Sequence, residues 1–405
     1  MPEVSGIPKA NLAEEEIVTT ARVDVAPVML AWARDRSGIP TEDLVRKFPK
    51  LSEWEAGTRL PTFRQLEQYS NYTHTPLGYL YLATPPAEPL PVPDFRTRGD
   101  RGVGRPSADL LDVIYACQQR QQWYSEYARY EGFDPPNFLA SATLATPIEQ
   151  AAETMREVLG FDLDARRGYR TWDEAFSGLS RKAETIGCLV MTSGIVGSNT
   201  HRRLDPAEFG AFALAQTYAP LVFINGRDTR AAMIFSLAHE LAHLWLGESG
   251  LDIPDPTTSR NGTSERWCNA VAAEFLVPGD SLRAEHLAGA TLRDELDRLA
   301  KLYKVSTLVV LSRLHDVAAL GWDDYRRAWD AEVAYVKGRQ ELLTPRKSGG
   351  DFYNTLPVRV SKTFARALVI STLEGRTSYR DAFELLGFRS VSTFQTLGRE
   401  LGVSA

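Results

Sequence analysis

The sequence predicts an α+β protein that is mostly helical, and three observations carry that reading. Beyond residue 25 most of the chain places apolar residues at helical spacing, cut into lengths by Pro and Gly. Only a few apolar runs are short enough to be strands. A stretch rich in Pro, Gly and Arg, residues 84–106, then breaks the pattern near the N-terminal fifth. A length of 405 residues suggests two or three domains. Hydrophobic content of 43% with 24% charged residues is ordinary for a soluble globular protein. No apolar run approaches the roughly 18 residues of a membrane span, and the N-terminus lacks the basic start and apolar stretch of a signal peptide. Cys117, Cys188 and Cys268 are too widely spaced for a disulfide framework or a CxxC clip. A cytoplasmic protein with no membrane partner is the expectation.

Taken in order, residues 1–22 read as a flexible tail. "PVMLAWARDRSG" is a helix that starts at Pro27 and stops near Gly38. "PTEDLVRKF" is a second, with Thr41 as its expected N-cap, and "SEWEAG" is a single turn closed by Gly57. "LPTFRQLEQYSNY" turns Phe63, Leu66 and Tyr69 inward. After the linker come amphipathic helices in "ADLLDVIYACQQRQQWYSEYARYEG" and "TPIEQAAETMREVLGF". "TIGCLVMTSG" and "APLVFING" read as buried strands, while "EFGAFALAQ" suits strand and helix almost equally. Helices follow at "IFSLAHELAHLWLGESG", "SERWCNAVAAEFLVP", 291–316 and 361–401. In the 299–314 segment Val305 and Leu308 are expected inward.

The net charge of −6 is uneven: −3 over residues 1–20, +1 over 21–80, −9 over 81–336 and +5 over 337–405. A basic tail behind an acidic middle argues for separate modules. It permits nucleic-acid contact without requiring it.

The chemistry concentrates in "AHELAH". His239 and His243 lie one turn apart on one helical face and can aim two imidazoles at one point. Glu240, about 100° around the helix, reaches the edge of that point without having to ligate. Two histidine ligands and a general base are what an HExxH zinc site requires. The competing reading is a core helix with two satisfied histidines, with Leu237, Leu241 and Leu244 packed behind. A chance HExxH in such a chain is expected at only about the 1% level. A catalytic zinc takes a third protein ligand, and Glu248, Asp252, Asp255, Glu265 and Glu274 are candidates. Glu248 qualifies only if the helix ends abruptly. Glu265 and Glu274, nine residues apart, fall on opposite faces of one helix, so only one can face the metal. Spacing does not say which.

"FSLAHELAH" followed by "ERWCNAVAAEFLVP" resembles the ImmA/IrrE family of zinc metallopeptidases. "APLVFINGRDTRAAMIFSLAHE" is similar to the strand and lead-in that precede the family's site helix. "PLPVPDFR" and "GGDFYNTLP" resemble its long form, which carries an Xre-type helix-turn-helix in front. The resemblance covers residues 23–400, most securely 219–278. It implies a zincin-like metallopeptidase domain at 107–336, a helix-turn-helix domain at 23–83 and a helical C-terminal domain at 337–405. It selects Glu265 as third zinc ligand, with Asn269 beside the site and Pro278 ending the helix. The departure is Cys268, where the family usually has alanine; a small buried residue should leave the helix intact. The implied reaction is peptide-bond hydrolysis, in which Zn²⁺ polarises the carbonyl and Glu240 activates the zinc-held water. The implied substrate is a helix-turn-helix repressor or an antitoxin-like partner. The oxyanion-stabilising donor is unassigned, with Tyr353 and His201 as weak candidates.

Residues 25–80 resemble the Xre-type domain, but "PKLSEWEAG" is short for a recognition helix and Pro49 interrupts its start. Lys50, Ser52 and Arg59 are the candidate DNA contacts; a charge of +1 offers little phosphate attraction. Docking of a protein partner is the alternative use of that shape. "SYRDAFELLGFRSVSTFQTLGREL" is a second helix–turn–helix shape, with Arg380, Arg389 and Arg399 along it. It reads as a packing hairpin or as a nucleic-acid or partner surface. The alternative function is therefore a DNA-binding transcription regulator, or a component of a toxin–antitoxin or phage-related module, whose peptidase fold senses or binds a partner. Homodimerisation is left open.

Overall fold

The computed structural model describes residues 21–89, 91–92, 106–252, 262–287, 289–342 and 352–403. The expected tail up to residue 20 and most of the linker, with Pro93, Arg96, Arg98, Arg101 and Arg105, lie outside these residues, as do Asp255 and the Tyr353 side chain. The chain forms two compact units. One is drawn from Met1–Pro91 with Gly104–Asp112, the other from Val92–Val103 with Val113–Ala405.

The first unit is built from short helices. Helix α1 (Pro27–Ser37) starts on proline and ends on Gly38, whose φ of 63° is the left-handed cap that glycine adopts at no steric cost. Helix α2 (Thr41–Lys47) corrects the expected cap: Pro40, with φ −52° and ψ 132°, holds the extended cap position, so Thr41 is already the first helical residue. Helix α3 (Leu51–Glu55) is five residues long. Helix α4 (Phe63–Tyr72) opens with a capping box in which the Gln65 N–H donates to Thr62 Oγ1 and the Thr62 N–H to Gln65 Oε1. A 3₁₀ turn (Leu77–Tyr81) follows. Met29, Leu30, Leu44, Leu51, Trp54, Leu66 and Tyr69 make the core, while Phe63 is only half-buried. The Tyr69 hydroxyl donates to Leu30 O at 2.7 Å.

The candidate DNA contacts are distributed unfavourably. Ser52 is exposed and Lys50 half-buried. Arg59 is drawn to Glu53 at 3.3 Å, and Arg46 is paired with Asp43. Arg34 pairs with Glu55, and the buried Arg36 with Glu88 at 2.9 Å. Guanidinium groups already matched by carboxylates release few counterions from a duplex. The expected result is weak binding of the full chain to random and genomic duplex at 150 mM salt. Tight, sequence-selective binding with a steep salt slope would overturn it.

Helix α5 (Ala108–Tyr130) belongs to the second unit from Val113 onward, and α6 (Ile148–Leu159), α7 (Leu163–Arg167) and α8 (Trp172–Thr185) follow it there. Strands β1 (Leu189–Ser193), β4 (Ala211–Leu214), β5 (Leu221–Asn225) and β6 (Gly250–Asp252) form one sheet in the order β1-β5-β4-β6. β1 runs parallel to β5, and the other pairs are antiparallel. The ambiguous 208–216 segment is thus a strand. β2 (Ile195–Val196) and β3 (Asn199–Arg203) form a separate hairpin. β1, β4 and β5 are buried along their whole length, which is why they read as continuous apolar runs and not as alternating ones. Val190, Val222, Ile224, Ala211 and Ala213 join the core around α9 (Arg230–Leu246). By the period of two, Met191, Phe212 and Phe223 face the other way, with Phe212 stacked on Phe223 at 5.1 Å.

Next come α10 (Thr263–Leu276), α11 (Gly279–Glu285), α12 (Leu292–Tyr303), α13 (Thr307–Asp316) and α14 (Trp322–Leu342). In the 299–314 segment Val305 is buried as expected. Leu308 is only half-buried, and Val310, Leu311 and Leu314 take its place because the helix restarts at Thr307. The final helices are α15 (Phe352–Val360), α16 (Lys362–Leu373), α17 (Tyr379–Leu386) and α18 (Val391–Glu400). They pack within the same unit as the sheet. Glu184 of α8 accepts from Ser361 Oγ and from the Lys362 N–H, tying down the start of α16, and Trp123 of α5 meets Phe364 edge-on. Gly387 is the left-handed turn between α17 and α18, and Arg380, Arg389 and Arg399 are exposed. Among the described residues no helix is long and apolar enough to cross a membrane.

Candidate metal centre

Helix α9 is apolar enough to be buried nearly all round. From Met233 to Trp245, only Phe235 is not fully buried. Its N-terminus is capped by Thr229, whose Oγ1 accepts from the Ala232 N–H at 3.2 Å. Its C-terminus is fixed twice. Gly247 adopts φ 76°, and a Cβ there would come within 2.8 Å of Ala140 Cβ. The Ala140 and Ala142 N–H groups donate to Leu244 O and Trp245 O in the last turn, where carbonyls run short of donors within the helix.

Helix α10 packs against α9 and brings Glu265 to it. Its C-terminal end is held by three buried arginines. Arg156 donates to Glu274 O at 2.8 Å, Arg166 to Leu276 O, and Arg313 Nε to Val277 O at 3.0 Å. Cations at helix C-terminal carbonyls also complement the helix dipole. Burial pushes the Arg166 pKa down to about 9. None of the three was singled out in the sequence. Arg156 and Arg313 sit on the apolar stripes of their helices, beside Ala152 and Val310, and a charge on such a stripe is the signal that marks them.

These supports converge three donor groups. The Nε2 atoms of His239 and His243 are 3.1 Å apart. Glu265 Oε2 is 3.4 Å from the first and Oε1 2.9 Å from the second. All three side chains are buried, and among the described residues they are the one cluster with metal-ligand spacing. Two ligands about 2.0–2.2 Å from a tetrahedral zinc lie about 3.3 Å from each other, so the three donors fit Zn²⁺ as they stand. Three lone-pair donors gathered away from water are costly unless protons or a cation lie between them. Burial opposes charge on His243, but its contacts with Cys268, Glu248 and Glu265 hold its pKa well above the usual imidazole value. Burial likewise pushes Glu265 up, yet the two histidines win and hold it at about 2.

The other sequence candidates separate cleanly. Glu240 is fully buried in the same turn. Glu248 follows an abrupt helix end, as its candidacy required, but it approaches His243 Nδ1 at 3.7 Å, on the ring edge away from the cluster. Glu274 turns to the opposite side of α10, pairing with Arg313 and accepting from the Gly279 N–H at 3.2 Å. Cys268 is buried beside His243, and its burial raises its pKa. Asn269 is half-buried one turn past Glu265. Asp252 lies in β6 opposite Ala211, and His201 is exposed on β3.

A buried His/His/Glu cluster on two packed helices beside a small sheet is the arrangement of a metal-dependent hydrolase. Residues 183–315 match the family model described as IrrE N-terminal-like domain, a peptidase family. This match supports the ImmA/IrrE family, a peptidase type of reaction and metal dependence for that region. Residues 360–400, which hold α16 to α18, match a domain of unknown function, DUF8813. No curated protein matches the chain.

Proposed function

We propose that the chain is a zinc-dependent endopeptidase acting in regulation, with a helix-turn-helix repressor or an antitoxin-like protein as its substrate. The observation that carries the proposal is the convergence of His239 Nε2, His243 Nε2 and a Glu265 carboxylate within zinc-ligand spacing, with the fully buried Glu240 in the same helical turn. His239, His243 and Glu265 would hold the metal. When bound, zinc supplies Lewis acidity to the scissile carbonyl and lowers the pKa of water. Glu240 takes a proton from the attacking water and passes it to the leaving amine. Burial of the site strengthens each of these electrostatic contacts. Glu265, already ionised at neutral pH, supplies its negative charge without first losing a proton. Asn269 takes a supporting role beside the site, and a reducing cytoplasm suits the three cysteines, none of which forms a disulfide.

A second reading is a regulator whose peptidase-like fold binds a partner without cutting. It draws on the burial of all four residues, none more than 4% exposed.

The expected result is about one zinc per purified chain, lost in His239→Ala, His243→Ala and Glu265→Ala by elemental analysis. Full retention in both histidine variants would sink the site.

A further inference from the structure

A second pocket lies on the opposite face of the sheet from α9. Phe223 of β5 forms part of its wall, and by strand alternation Phe223 points away from the metal centre's side. Helix α5 contributes Ala116 and Arg120, α15 contributes Arg359 and Val360, and the end of α17 contributes Leu386. The pocket is partly open to solvent, and the space within it for the centres of water-sized groups is about 30 Å³, room for a small head group and not for a drug-sized molecule.

The two arginines set the chemistry. Arg120 is nine-tenths buried, and its Nε donates to Leu385 O at 2.9 Å. One further donor faces the sulfur of Met191 at 4.0 Å, which is a weak acceptor. The other partner of Arg120 is the buried Cys117 thiol, so one strong acceptor and two weak sulfur partners serve five N–H donors. Arg359 is half-buried. Among the described residues no carboxylate lines the pocket or pairs with either guanidinium. Burial lowers the pKa of both groups, the expected sign for cations short of counter-charge. Elsewhere in the unit the buried Arg313 is matched by Glu274, and the buried Arg166, which has no carboxylate partner, is held instead by backbone carbonyls that include Leu276 O and Tyr303 O. An uncompensated buried charge such as Arg120 is expensive, and with the half-buried Arg359 lining the same cavity it is relieved by an anion held between planar forks.

We propose that this pocket binds a small organic anion through its carboxylate or phosphate head group, held by Arg120 and Arg359, with the apolar wall at Phe223, Val360 and Leu386 taking a short aliphatic end. The ligand would contact the sheet of the IrrE-like segment and the helices matching the domain of unknown function at once. Arg120 already bridges them, touching Met191 of β1 and Leu385 of α17. Binding therefore favours the docked arrangement of α15 to α17 over any looser one.

The test is titration calorimetry of the full chain with inorganic phosphate and with butyrate, and with butylammonium as the cation control. One equivalent of phosphate or butyrate should bind, with phosphate preferred if the head group alone decides and butyrate preferred if the apolar wall contributes. Butylammonium should not bind. Arg359→Met, a half-exposed position that should fold normally, should weaken binding about tenfold or more. Arg120→Met should do the same, and if it fails to fold the Arg359 variant decides. Absence of binding by both anions, equal binding of butylammonium, or affinity unchanged in Arg359→Met would overturn the proposal.

Discussion

Glu240→Gln is expected to keep zinc and to lose cleavage by about 10²–10⁴-fold. The substitution is nearly isosteric, so the buried helix turn that holds His239 and His243 should not shift. Glutamine cannot accept the water's proton at neutral pH. Glu240 sits one residue after His239 and three before His243, so helix geometry turns it beside the point those two side chains share and not toward it. Elemental analysis would report metal content. Time courses with a co-purified or genome-neighbouring repressor, with and without chelator, would report rate. Cleavage at the wild-type rate would place the peptidase centre elsewhere. A firmly bound zinc with no substrate ever cut by the wild type would favour the regulator that binds without cutting.

Glu274→Ala is the variant expected to damage stability while sparing the metal. It leaves Arg313 buried with its closest carboxylate gone, and breaking a buried pair from one side costs about 3–5 kcal/mol. The lower end is expected here, because Arg313 also reaches Asp316 at 3.1 Å. The Gly279 N–H loses its acceptor as well. Urea unfolding should show the loss, and Glu274→Met combined with Arg313→Met should recover much of it, since no uncompensated charge then remains. Zinc content measured below the unfolding transition should equal that of the wild type. A cost below about 1 kcal/mol, or zinc lost from a chain that is still folded, would contradict the assignment of Glu274 to the scaffold.

Much of this division of labour was legible in the sequence because it is local. HExxH places two imidazoles on one face by helix geometry alone, and Pro27 and Gly38 mark helix ends through their own backbone preferences. Glu265 and Glu274 were separable as opposite faces of a helix, but spacing could not rank them. Their choice came from the family resemblance, and in the structure Glu265 is the one beside the histidines. What could not be read is non-local. Arg166 and the Leu276 carbonyl it caps are 110 residues apart, and nothing in either neighbourhood announces the other. The same holds for the second pocket, whose arginines come from helices that only the tertiary fold brings to one cavity. The misplaced cap at Thr41 has a smaller cause: a proline one position earlier already had the backbone angles the cap needs.

Strand β5 serves two clients back to back. Val222 and Ile224 back the metal helix, while Phe223 between them walls the anion pocket. Side-chain direction reverses at every residue of a strand, so inserting or deleting one residue in β5 would present each client with the other's wall. A change of two would leave both intact. Length variation in this strand among related chains should therefore come in even steps, and a natural odd-numbered change should be accompanied by a bulge that restores the phase.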